Sequence, residues 1–110
     1  MERKPLTQQH CVPCEGGMPP LTRNMAEKLL AETSGWALPA DAKSISREFV
    51  FKDSREALAF VNKVGELAES EDHHPDIHWR RNTVKLDLST HAIKGLSQND
   101  FILAAKINGL

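Results

Sequence analysis

The sequence predicts an α+β domain, a four-stranded antiparallel sheet with helices packed on one face. Three observations carry this reading. Every strand-like run alternates apolar and polar residues, the mark of a sheet with one covered face rather than of a buried parallel sheet. Between those runs lie stretches whose apolar residues recur at three and four, the spacing of helices that bury one side. The chain has 110 residues, enough for a single modest core.

Residues 1–21 read as an irregular lead-in rich in Gly and Pro, and residues 22–110 as one domain. Thr22 is a good N-cap, and Met25, Ala26, Leu29 and Leu30 follow at helical spacing, which places a helix over residues 23–33. Trp36-Ala37-Leu38 reads as a short strand stopped by Pro39. From Ser44 to Phe51, Ile45, Arg47, Phe49 and Phe51 share one face, with Arg47 the exception to an apolar pattern. Asp53 or Ser54 caps a longer helix striped by Ala57, Phe60, Val61, Val64, Leu67 and Ala68, running out near Glu71. Residues 77–79 form a short strand. A clearer one spans Thr83 to Ser89, with Val84, Leu86 and Leu88 inward and Lys85 and Asp87 outward. Gly95 marks a turn, and Ser97 caps a last helix whose apolar side is Phe101, Ile102, Ala105 and Ile107.

Composition narrows the function. Fourteen Lys and Arg balance fifteen Asp and Glu, a net charge of -1 that offers nothing to nucleic acid or an anionic membrane. No apolar run is long enough to span a bilayer, and the N-terminal residues lack the apolar core of a signal peptide, so a cytoplasmic location is expected. Cys11 and Cys14 make a single C-x2-C in a loop context. With no second pair, a zinc site lacks ligands, and without a strand before and a helix after, a redox motif lacks its frame.

Chemistry concentrates in Glu69-Ser70-Glu71-Asp72-His73-His74-Pro75. His73, His74 and His78 fall within six residues, and His91 ends the following apolar run. Imidazole changes charge near neutral pH, so such a cluster suits proton transfer. Pro75 pushes His74 out of helical geometry, which lets neighbouring rings enter one pocket from different backbone directions. Glu69 and His73, four apart, share a face if the helix reaches that far. The division of acid and base between His73 and His74 stays open, because coupled histidines titrate as a pair. His74 and His78 are also four apart, but Pro75 breaks the helix that would align them on a metal, and no H-E-x-x-H is present. Asp100, in the first turn of the last helix, is favoured there by the helix dipole, a sufficient role, and whether it also orients a histidine stays open.

Glu69-x3-His73-His74-Pro75, His91 sixteen places after the proline and Asp100 nine further on resemble the signature of the pterin-4a-carbinolamine dehydratases. Cys11-Val12-Pro13-Cys14-Glu15-Gly16-Gly17, Thr90-His91-Ala92-Ile93 with Gly95-Leu96, and the run from Asn99 to Ile107 are similar to bacterial members. The resemblance implies a four-stranded sheet with helices on one face, assembled as a homodimer or homotetramer. It implies dehydration of 4a-hydroxytetrahydropterin to quinonoid dihydropterin, which recycles the pterin cofactor of aromatic amino-acid hydroxylases, with no metal and no organic cofactor. By the same resemblance His73, His74 and His91 are the catalytic set, and Asp72, Ser89, Thr90 and Asp100 are the residues beside the pterin substrate. The chain departs from the family in having Arg81 and Asn82 where an aromatic residue usually stands, and Ala92 where some relatives have a glutamate. The alternative is a non-catalytic dimerisation or assembly factor on the same fold.

Overall fold

A computed structural model describes residues 4–12 and 18–110; Cys14 lies outside the described residues. The elements run α1 (Arg23–Leu30), β1 (Ile45–Val50), α2 (Ser54–Glu71), β2 (Asp76–Arg80), β3 (Thr83–Leu88) and α3 (Gln98–Asn108). One-turn 3-10 helices lie at Leu6–Gln8 and His91–Ile93. The helix starts follow the side-chain chemistry. Thr22 Oγ1 accepts the Met25 N–H, and Asp53 Oδ1 accepts the Glu56 N–H, so both caps satisfy backbone donors that a helix leaves open.

The sheet is antiparallel throughout, in the order β1-β3-β2, and has three strands rather than four. The run expected as a fourth, Trp36-Ala37-Leu38, contributes one bridge, in which Ala37 and Ser46 exchange both backbone hydrogen bonds at 2.8 and 3.0 Å. Pro39 has no N–H to continue the ladder, and Trp36 is turned into the core with its indole N–H on Asn108 Oδ1, so pairing stops after one residue.

Opposed residues fix which face is covered. Ile45 and Phe49 of β1 stand against Leu88 and Val84 of β3, with Leu86 between. These, with Phe60, Val64 and Ala57 of α2, form the core. Arg47 is explained by its partners. Its Nη1 donates to the Ser34 carbonyl at 3.1 Å and to Asn108 Oδ1 at 2.7 Å, and its guanidinium lies 4.5 Å from the Phe49 ring centre. Gly35, at φ +86°, makes the room, since a Cβ there would lie 2.7 Å from Arg47 Cζ.

The last helix departs from expectation in its burial. Every residue from Asn99 to Ala105 is buried, and so is Ile107, so α3 is a central helix rather than one with a single apolar side. It is enclosed by α1, α2 and the turn at Leu6–Gln8, whose Leu6 joins the core. A helix enclosed on every side must be apolar nearly all round.

Candidate active site

The site forms where α2 stops. Asp72 takes the left-handed conformation (φ 51°, ψ 41°) and its N–H and that of His73 close on carbonyls of the last turn. The helix thus ends before His73, earlier than Pro75 alone would require, and the chain leaves it at a sharp angle. Glu69 and His73 therefore do not share a face. Glu69 Oε2 instead meets His74 Nε2 at 2.5 Å, an exposed pair, while His73 turns inward.

His73 Nε2 lies 2.6 Å from Asp100 Oδ1. Asp100 is fully buried, and its other oxygen accepts the Thr90 hydroxyl at 2.9 Å and the Ser97 backbone N–H at 3.0 Å. Ser97 and Asp100 form a capping box at the start of α3. The carboxylate is thereby both helix cap and histidine partner. A neutral imidazole whose Nε2–H faces a carboxylate keeps its lone pair on Nδ1, the atom then able to accept a proton.

The last turn of α2, the end of β3 and the 3-10 turn at His91–Ile93 converge around a pocket of about 280 Å³. It is lined by Asp72, His73, His74, Ser89, Thr90, His91, Ala92, Val12 and Asn99. Six of the seven residues singled out from sequence line it, and the seventh, Asp100, stands behind His73. His78 does not take part: it lies on the outer sheet face with Nε2 2.9 Å from Asp87 Oδ2. Arg81 and Asn82 do not either. They make the turn joining β2 to β3, with Arg81 at φ +55°, at the end of the hairpin away from His74 and Ser89. Five strand residues put them roughly 16 Å from the pocket end, and Trp79 stays with that turn by donating to the Arg81 carbonyl.

Val12 and Asn99 went unrecognised as site residues, and so did the buried Glu71. Glu71 Oε1 accepts the Cys11 N–H at 2.7 Å, and Oε2 meets Lys106 Nζ at 2.9 Å and His10 Nδ1 at 3.0 Å. Burial works to raise its pKa, but the Lys106, Cys11 and His10 hydrogen bonds outweigh it and hold the carboxyl down at about 2. Cys11 is moved the other way. Burial first, and then the charge of Glu71, push its thiol up to about 12, so it is a weak nucleophile at neutral pH. The signal that could have flagged Glu71 was its place in the last turn of a helix, where the dipole gives a carboxylate no support. Among the described residues no group of three or more His, Cys, Asp or Glu is placed to hold a metal ion, and no helix is long and apolar enough to cross a membrane.

Comparison with known proteins agrees with this architecture. The family model for pterin 4 alpha carbinolamine dehydratase matches residues 19–110. A protein of Halorhodospira halophila, provisionally named pterin-4-alpha-carbinolamine dehydratase, is 49% identical over 105 residues, 96% of each chain. One of Methylococcus capsulatus with the same provisional name is 47% identical over 110 residues, 100% of this chain and 96% of its own. A crystal structure from Brucella melitensis, described as a transcriptional coactivator/pterin dehydratase, superposes with a TM-score of 0.77 at 32% identity, covering 82% of this chain and 96% of that one. On a family match over residues 19–110 and near-half identity along almost the whole length, the chain belongs to the pterin-4α-carbinolamine dehydratase family.

Proposed function

We propose that the protein dehydrates 4a-hydroxytetrahydropterin to quinonoid dihydropterin by histidine general acid-base catalysis. The observation that carries this reading is the shared pocket of His73, His74 and His91, with buried Asp100 fixing His73. The reaction breaks the bond from C4a to its hydroxyl, which leaves as water after taking a proton. The adjacent ring N–H loses its proton as the carbon–nitrogen double bond forms. One imidazole giving and one accepting balance the step, and each such transfer is worth about 10² to 10⁴ in rate. Asp72, Ser89 and Thr90 supply polar groups at the pocket for the substrate's ring edges. In this reading the enzyme is a cytoplasmic homodimer or homotetramer that recycles the pterin of aromatic amino-acid hydroxylases.

The test is the dehydration rate with and without protein, across pH. Acceleration that depends on pH is the expected outcome. His91→Ala should lose activity by about 10² or more while stability changes by less than about 0.5 kcal/mol, since His91 is exposed. A second reading, a non-catalytic assembly factor, is favoured by the coactivator half of the Brucella protein's description. It takes first place if wild-type protein gives no acceleration.

A further inference from the structure

We infer that residues 9–12 are a fixed wall of the substrate pocket, with Val12 as its apolar contact and Asn99 as the positioning residue that holds it. The inference rests on the dehydratase reading of that pocket.

The strap is tied to the two helix ends that carry the histidines and Asp100. Asn99 Oδ1 accepts the Val12 N–H at 3.0 Å while Asn99 Nδ2 donates to the Val12 carbonyl at 2.6 Å, a paired clamp on the backbone of one residue. The thiol of Cys11 faces the Asn99 carbonyl at 3.6 Å, and Gln98 Nε2 donates to Gln9 Oε1 at 2.5 Å. From the other side Glu71 takes the Cys11 N–H. Asn99 and Glu71 are both buried side chains, and burying polar groups is unfavourable unless they are satisfied; the strap's backbone pairs with the Asn99 amide and, beside Lys106 and His10, with Glu71.

What the strap presents is a hydrophobic side chain. Val12 is 64% exposed although its backbone is pinned, and it lines the pocket. Among the described lining residues only Val12 and Ala92 have apolar side chains; the rest are one acid, three histidines, two hydroxyls and an amide. A pterin is a flat bicyclic ring with polar edges and an apolar face, so the hydroxyls and the Asp72 carboxylate serve its edges and Val12 serves a face. Among the described residues no aromatic side chain lines the pocket to do so instead.

The experiment is a double-mutant cycle on the full chain, reading KM and kcat for 4a-hydroxytetrahydropterin. Val12→Ala should raise KM about five- to tenfold, the effect of losing contact with two methyl-sized groups, with kcat within about twofold and an unchanged pH profile. Val12→Leu, which keeps an apolar side chain there, should restore the wild-type KM. Asn99→Ala should raise KM by a similar factor, and adding Val12→Ala to it should change little, because the wall is already released. An unaltered KM in Val12→Ala, or effects that multiply in the double variant, overturns the inference while an active wild type leaves the dehydratase reading standing. If wild-type protein does not accelerate the reaction, both fall.

Discussion

Asp100 shows how a single residue comes to serve the fold and the site together. Its position in the first turn of α3 is sufficient reason for a carboxylate, yet both oxygens are committed further, one to His73 and the other to Thr90 and Ser97. Asp100→Asn keeps the shape but puts a donor or an uncharged acceptor against His73 and Thr90. We expect kcat to fall by about 10² and stability by about 1 to 3 kcal/mol, read from steady-state rates and urea midpoints. If kcat is unaffected while stability drops, Asp100 is a cap and no more. The clustering of His73 and His74 was legible in the sequence because reactive groups in a short run stand out, whereas Asp72, Ser89 and Thr90 were reached only through the family resemblance. Val12 and Asn99 were not legible, since a valine before a proline and an asparagine in a first helical turn have ordinary local explanations.

Elements were legible where one face is covered and the period is clean. The alternation in β1 and β3 and the stripe of α2 are visible without coordinates, as are the caps Thr22 and Asp53. What failed were features set by neighbours. The short run at Ala37 looks like a strand locally but meets only Ser46, and α3 looks amphipathic although its other side is buried too. Glu71 belongs at this scale, because it joins the end of α2 to Lys106 of α3 and to Cys11 of the lead-in. Its carboxyl lies at about 2 in the fold against an ordinary value of 4.5. A depressed carboxyl contributes stability that is complete above about pH 4.5 and is lost as pH falls towards 2. Unfolding midpoints measured between pH 6 and 2.5 should therefore drop in that window for the wild type, and drop less in Glu71→Gln. Equal slopes in the two proteins would mean the charge of Glu71 is not what holds these three segments.

At the scale of the whole molecule the sheet is lopsided. β3 is sealed between its neighbours, whereas all five residues of β2 are exposed, with Ile77 at 36% and Trp79 at 46% on the face that α2 covers elsewhere. An edge strand with unpaired backbone groups and apolar side chains is a template for another strand. Sedimentation at micromolar concentration should show a dimer or larger species, and Trp79→Lys should shift it towards monomer without loss of helicity. A monomeric wild type would put the assembly expectation aside. Contacts of this kind, and the pairing of Cys11 with Glu71 sixty residues away, depend on three-dimensional closure and leave no periodic trace in the chain.

The burial of α3 on every side also has a bearing on biosynthesis. The three strands and both other helices leave the ribosome before the helix that fills the middle of their core. Until it follows, Leu86, Leu88 and Ile45 have no complete partner, and the nascent sheet presents apolar surface to the cell. The sheet and the other helices then reach their final packing only when α3 is in place.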